Sequence, residues 1–281
     1  MGLLKNSDYK ISMAKPKVLV LTGYGINCDD ETAFAFIRAG AHADIVHIND
    51  LIANRAMLES YQIFAFPGGF SYGDDTGSGK ALANRIKNNL MDEMRGFMSR
   101  DTLMLGLCNG FQVMVNLGIV PALAGFTGVT EAALEHNTTN RYQCRWVDLL
   151  IEKSSPSVFT KGMDRLHIPV AHGEGNFFAE QHVLDDMEKN NLVCIRYIKP
   201  DGSRARKEFP YNPNGSVNDI AAVCDRSGRI MGMMPHPERG MFFYQRDDWT
   251  YLKEKLVREG GDIPEEADGF KIFKNAVGYF K

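Results

Sequence analysis

Cys108 lies in the run Leu105-Gly106-Leu107-Cys108-Asn109-Gly110-Phe111-Gln112, a G-x-C-x-G pattern between an apolar stretch and a helix-like one. This is the thiol form of a nucleophile elbow, in which a reactive side chain is held on a sharp strand-to-helix turn. A residue so held sits at the carboxyl end of a strand, where open α/β sheets place their ligands. The flanking glycines suit a backbone crowded too tightly for a Cβ. The helix that follows aims its amides and dipole at the sulfur and favours thiolate. That help matters, because a free thiol is only about 3% ionised at neutral pH. Without the glycine frame, a cysteine in an apolar stretch reads as a buried core thiol.

A thiol nucleophile needs a base. Met233-Met-Pro-His236-Pro-Glu238-Arg-Gly follows the last apolar run. An imidazole can take the thiol proton and later protonate a leaving amine. A carboxylate fixes its tautomer and orientation, and Pro237 holds the chain between the two extended. Of the seven histidines, only His236 combines a strand end, a nearby carboxylate and rigid prolines; the bland alternative is a loop histidine. Cys28 is a rival thiol near a helix start, but it has neither the glycine frame nor an obvious base, and reads as structural or interfacial. Cys144, Cys194 and Cys224 fall in strand-like runs and read as core filler. His172-Gly-Glu174 offers too few ligands for zinc and otherwise reads as a surface loop, so no metal site is expected.

These residues need a scaffold. Val18–Leu21, Asp44–Ile48, Gln62–Phe66 and Leu103–Leu107 are short apolar runs, the mark of strands buried on both faces. Between them, helices are predicted from an Asn27 cap to Gly40, with Asp29, Asp30 and Glu31 in the first turn, and as one long polar helix over Gly79–Met98. Phe111–Leu117 reads as helical. The second half reads as strands over Arg141–Ile151, Leu166–Pro169 and Leu192–Ile198, a hairpin of Asp219–Asp225 with Arg229–Met234, and a closing helix over Phe270–Phe280. The expectation is an α/β fold: a mostly parallel sheet with helices on both faces, and β-hairpins decorating the second half. Residues 1–16 read as a poorly ordered leader and 17–281 as a single domain.

With 281 residues, 44% of them hydrophobic, and a net charge of −3, the chain can bury a real core and has no signature of disorder. The mild acidity makes a poor electrostatic match to nucleic acid or anionic membrane. The charge-free stretch Thr102–Thr130 is broken by polar residues and glycines and suits a buried sheet, not a membrane span. Five cysteines without a C-x-x-C and no signal peptide point to a reducing cytoplasm.

Gly-Leu-Cys108-Asn-Gly-Phe-Gln together with Pro-His236-Pro-Glu238 resembles the class I, or triad, glutamine amidotransferases. Gly25–Glu31, Pro67–Asp75, Ala171–Gly175, Asn212–Ser216 and Met233–Arg239 are similar to the branch of that family serving de novo purine synthesis, and the likeness runs from about residue 17 to the C-terminus. The resemblance implies a flavodoxin-like fold. It implies that Cys108 attacks the glutamine side-chain amide to form a glutamyl thioester, with His236 as acid/base and Glu238 as its partner. It implies oxyanion-hole N–H groups at Gly69 and Asn109, and substrate contacts at Gly68, Gln112, His172 and Gly173. A bare Pro67-Gly68-Gly69 turn can bring amides close to a developing oxyanion, though alone it reads as a plain turn.

The resemblance further implies partners: a large synthase subunit, which would carry ATP and magnesium, and a small bridging subunit. The chain has no G-x-x-x-x-G-K-[ST] loop of its own, and no cofactor is expected in it. The competing readings are an amidotransferase subunit of another pathway, a papain-like peptidase, whose local signature is missing, and a non-catalytic binding module. Met241–Tyr244 reads as core or partner contact, and Trp249–Glu259 as a solvated helix.

Overall fold

The computed structural model describes residues 15–73 and 76–281; the expected leader falls almost wholly outside them. Eleven strands run β1 (Lys17–Thr22), β2 (His42–His47), β3 (Ile63–Phe66), β4 (Leu103–Leu107), β5 (Ala132–Glu135), β6 (Gln143–Ile151), β7 (Arg165–His172), β8 (Asn176–Ala179), β9 (Val193–Ile198), β10 (Ile220–Cys224) and β11 (Ile230–Met233). The α-helices are α1 (Asp29–Arg38), α2 (Ile48–Ala53), α3 (Lys80–Asn89), α4 (Met91–Ser99), α5 (Asn109–Asn116), α6 (Gln181–Lys189), α7 (Trp249–Arg258) and α8 (Phe270–Gly278).

Nine strands form one sheet in the order β2-β1-β3-β4-β11-β10-β9-β6-β7. From β2 to β11 the pairings are parallel; from β11 outward they are antiparallel. The strands of the second half thus extend the main sheet, and only β5 and β8 pair apart from it. Alternation along the buried strands explains the helical layers. Leu19, Leu21, Phe64, Phe66 and Met104 face one core, covered by α2 to α6. Val18, Val20, Ile63, Ala65, Leu103, Leu105 and Leu107 face the other, where Phe36 of α1 meets Phe273 of α8 edge to face at 5.0 Å. Period-two side chains buried on both faces make these strands continuous apolar runs.

Some local expectations need correction. Cys28, not Asn27, is the N-cap of α1, and it makes no side-chain capping bond. Asn27 Oδ1 instead accepts from the Cys28 thiol at 3.3 Å. The single long helix is broken at Leu90, whose φ of −134° leaves the helical region. The break lets Met94 and Phe97 of α4 return to the core already filled by Leu82 and Ile86 of α3. Cys144 is exposed, not core filler, whereas Cys194 and Cys224 are buried. Met241 and Phe243 are core while Tyr244 is exposed, and α7 buries none of its residues.

His167 fastens the chain before α7 to the outer strands. Its ring N–H groups donate to Asp148 of β6 at 2.9 Å and to Asp247 at 2.8 Å, and it stacks on Trp146. Burial disfavours its proton, but the two carboxylates outweigh burial and raise its pKa. A raised folded value stabilises the fold fully below the unfolded value of about 6.5, and that contribution disappears as pH rises through the folded one. His167→Gln should therefore lower the melting temperature most in mildly acidic buffer, and the gap to wild type should close in alkaline buffer; thermal melts across pH test this.

Candidate active site

Three neighbouring strands deliver three loops to one sheet edge. In the parallel pair of β4 with β11, Gly106 lies opposite Gly232 and Leu107 opposite Met233. In the pair of β3 with β4, Phe66 lies opposite Gly106. The carboxyl ends of β3, β4 and β11 therefore present Pro67-Gly68-Gly69, Cys108 and the turn carrying His236 and Glu238 side by side. The sheet changes from parallel to antiparallel beside β11, a natural place for a crevice.

The elbow is tight. Cys108 has φ 49° and ψ −104°, a left-handed backbone rarely adopted by residues other than glycine. Its N–H donates to Met233 O at 2.8 Å, and its Sγ faces Ala171 O at 3.6 Å. A Cβ on Gly106 would sit 2.3 Å from Met114 Sδ, and one on Gly110 would sit 2.0 Å from Phe66 O. Gly232 is bare for the same reason, since a Cβ there would meet the Phe111 ring at 2.1 Å. The G-x-C-x-G spacing is thus a packing requirement between α5 and the strands below it.

His236 and Glu238 are both buried, with Nδ1 to Oε1 at 2.5 Å. The His236 N–H donates to Pro169 O, and a 3-10 turn over Pro237–Arg239 holds the pair in place. Burial alone would strip the imidazole of its proton. The Glu238 carboxylate and the Cys108 sulfur outweigh it and hold the His236 pKa well above the ordinary range. The His236 Nε2 makes no hydrogen bond among the described residues.

The other sequence candidates cluster here with distinct parts. Gly68 packs against His236, since a Cβ on it would lie 2.7 Å from Cε1. Its carbonyl accepts from the Asn27 and Cys28 N–H groups, the Phe70 N–H goes to Gly25 O, and the Gly69 N–H takes no part in these bonds. The Asn109 side chain is occupied: Oδ1 accepts from Ser71 N at 3.2 Å and Nδ2 donates to Gln112 Oε1 at 2.9 Å. Gln112 Nε2 in turn donates to Glu174 O at 2.5 Å, so its amide links Asn109 on α5 to the loop after β7. Gly173 is open, with only Tyr142 at 3.9 Å from a Cβ position. Asp74 and Asp75, at the end of the Pro67–Asp75 segment, lie outside the described residues.

His172 is not on a surface loop. It ends β7, buried, and its tautomer follows from Asn137. Asn137 Nδ2 donates to Arg141 O and His172 O, so its Oδ1 must be the atom accepting from Gly175 N and His172 Nδ1. His172 then carries its proton on Nδ1 and leaves Nε2 as a bare acceptor, buried and unpartnered among the described residues. Burial, then the charge on His236, push its pKa down to about 3, so it is neutral at ordinary pH. The Asn212–Ser216 segment is the knot beneath: Ser216 Oγ donates to Gly175 O and accepts from Phe177 N, while Asn212 and Asn214 close the turn upon itself.

Sequence reasoning missed Asn137, Arg239 and the true place of Cys28. Cys28 is fully buried, and its Sγ, a His236 ring nitrogen and a Glu238 oxygen lie within 4.8 Å of one another. Arg239 Nη2 donates to that sulfur at 2.9 Å, so a cation already engages it. Adjacency of Arg239 to the Pro-His-Pro-Glu run was the available signal. Nothing local in the sequence pairs residue 28 with residue 239. Tyr142, half exposed beside Phe70, has its phenol pKa raised by burial and then by Cys108.

The family described as the CobB/CobQ-like glutamine amidotransferase domain matches residues 15–280. A phosphoribosylformylglycinamidine synthase subunit PurQ from Methanococcus maripaludis is 52% identical over 266 residues, covering 94% of this chain and 97% of the relative. Its counterpart from Dehalococcoides mccartyi is 43% identical, covering 94% and 98%. Among solved structures, one described as PurLQS from Thermotoga maritima aligns with a TM-score of 0.67 at 29% identity, covering 95% of this chain and 100% of that one.

Gly110→Ala should fail at the elbow. With Phe66 O only 2.0 Å from the new Cβ, α5 must lift from β3. A loss of about 3 kcal/mol is expected, at the upper end of overpacking costs. Chemical denaturation reads it; a variant as stable as wild type would show that the elbow can relax.

Proposed function

The chain belongs to the CobB/CobQ-like glutamine amidotransferase family, and from that membership and the site geometry we propose that Cys108, His236 and Glu238 are its catalytic groups. The chain acts as the glutaminase subunit of a phosphoribosylformylglycinamidine synthase in purine biosynthesis, releasing glutamate and ammonia from L-glutamine. The observation that carries the residue assignment is the buried His236–Glu238 pair, 2.5 Å from Nδ1 to Oε1, which the β4–β11 register sets beside Cys108.

The chemistry follows from these positions. The Cys108 sulfur attacks the side-chain amide carbon, forming the S–C bond as the carbonyl becomes an oxyanion. The Gly69 and Asn109 N–H groups receive that oxyanion. The tetrahedral centre collapses with loss of the C–N bond, and the His236 imidazolium supplies the proton that makes the leaving group ammonia. Water then gives a proton to His236 and adds to the thioester, and the C–S bond breaks to release glutamate. Glu238 keeps the His236 proton on Nδ1 in the neutral state and balances the charge in the protonated one. Gly68, His172 and Gly173 line the substrate side, and Gln112 holds the loop that forms it.

Ammonia passes to the large synthase subunit, with a small third subunit completing the assembly. The relative from Thermotoga maritima is described as such a three-part structure. Because free ammonia is mostly protonated at neutral pH, transfer within the complex preserves the nucleophile. ATP and magnesium belong to the synthase subunit, and this chain works as one amidotransferase domain with no cofactor or metal. No described helix is long and apolar enough to cross a membrane. A reducing cytoplasm fits the free thiols of the described chain.

The direct test is glutamate release with and without the synthase subunits. Cys108→Ala should abolish glutamine use while the assembled complex still accepts free ammonia; loss of both would assign Cys108 a structural role. Glu238→Gln should cut turnover by roughly 100-fold or more, in the range of general acid–base contributions, without lowering expression or the melting temperature in proportion. A glutamine-like electrophile should alkylate Cys108 first, read by peptide mass mapping; labelling of Cys28 ahead of it would contradict the assignment.

A further inference from the structure

The back of the His236 ring is built by residues that the thioester chemistry does not use. Cys28, at the start of α1, and Arg239, next to Glu238, meet there. The guanidinium donates to the sulfur at 2.9 Å. The main chain fixes the sulfur's position: Cys28 N–H donates to Gly68 O at 3.2 Å, and its carbonyl accepts from Thr32 N–H and Thr32 Oγ1. Gly68 is bare on the side facing both residues, since a Cβ would stand 2.7 Å from His236 Cε1 and 3.2 Å from Cys28 Sγ. Arg239 is held by its own N–H to His236 O at 3.2 Å. A fully buried thiol, a half-buried cation and the Gly68-Gly69 turn are therefore one packed unit around the imidazole.

We propose that Cys28 and Arg239 are a positioning pair for His236: the sulfur accepts from the guanidinium and anchors it behind the ring, so that the cation cannot close on the imidazolium that serves the leaving amine. This rests on the glutaminase reading above. The groups facing His236 make the balance explicit. Glu238 and Arg239 come from its own turn, Cys108 from the elbow, Cys28 from the start of α1, neutral His172 from β7, and Tyr142 from the chain before β6. Arg239 is the one cation among them besides the imidazolium itself, and loss of Cys28 would leave it unanchored, with Glu238 and Cys108 as its remaining stabilising neighbours. Arg239 itself is destabilised as a cation by burial and restored first by Cys28. The pair thus keeps a necessary cation from acting against the imidazolium. What the cation contributes in return is a fixed wall: it ties the 3-10 turn bearing Glu238 to the start of α1, and so to the Gly68-Gly69 turn.

The test uses the assembled complex and reads glutamate release as kcat/KM against pH. The alkaline limb reports loss of the proton that the leaving amine needs. Cys28→Ala should move that limb to lower pH by roughly one unit, the size expected when a cation is freed to approach the imidazolium. Cys28→Ser, which keeps an acceptor for Arg239, should hold the limb near wild type. Adding Arg239→Met to Cys28→Ala should move the limb back up. Melting curves and gel filtration confirm that each variant folds and assembles. An alanine variant with an unmoved limb, whatever its rate, would overturn the proposal, as would a serine variant shifted as far as alanine. A wild-type complex that releases no glutamate would instead refute the glutaminase reading itself, so the two failures are distinguishable.

Discussion

The register between β4 and β11 is the constraint on which the site depends. Pairing Leu107 with Met233 puts the residue after each strand at the same edge, and the bond from Cys108 N–H to Met233 O closes the two loops together. The proposed nucleophile and its base come from distant parts of the chain, and no local sequence feature brings them together. The parallel pair does so through backbone bonds, which are indifferent to side-chain identity. A slip of one residue in that pair would turn Met231 and Met233 to the opposite core and carry His236 away from the sulfur. Gly106 and Gly232, opposite one another in the register, let α5 pack closely over the strand ends. The chemistry is therefore as rigid as the sheet.

On that frame the site separates two buried histidines by charge. His236 and His172 lie near enough to feel each other, and each is desolvated. One has Glu238 and Cys108 beside it and keeps its proton; the other has the neutral Asn137 and is driven to about 3. Burial disfavours the proton on both, so the neighbours decide. The result is a single proton donor in the crevice and a separate neutral acceptor, His172 Nε2, which cannot compete for the proton. Opposed pKa shifts in adjacent titratable groups are a common way of dividing acid and base roles.

The sequence exposed what depends on short spacing. The elbow was legible because its glycines, strand and helix are contiguous, and the His236-Pro-Glu238 spacing marked an imidazole with its orienter. The strands β1, β3 and β4 were legible as uniformly apolar runs. Other features were hidden by the distance between partners. Cys28 looked isolated because its guanidinium partner lies more than two hundred residues away. β5 and β8 are short, half-exposed strands whose pairing depends on the knot at Asn212–Ser216 beneath them. His172 looked like a loop residue because a glycine follows it, yet the antiparallel pairing with β6 carries β7 through to that position. The continuous helix expected over Gly79–Met98 ignored the need to bring Phe97 back onto the core.

The substrate side is made mainly of backbone, and that explains how the polar segments are spent. Asn109, Gln112, Asn137, Asn212, Asn214 and Ser216 are all buried, and their hydrogen bonds end mainly on carbonyls and amides, with one from Asn214 to the Tyr197 hydroxyl. Unpaired, each would cost about 1–3 kcal/mol of desolvation. Paired, they hold the Gly173–Gly175 loop in a conformation that glycines alone would not keep, since a bare chain has the most freedom to lose. The loop is thus glycine-rich on the proposed substrate side and amide-braced behind. Removing one brace would leave its partner buried and unsatisfied, so the network behaves as a unit. The same logic governs the back of His236, where the bare Gly68 admits the ring and a buried sulfur and guanidinium hold it there.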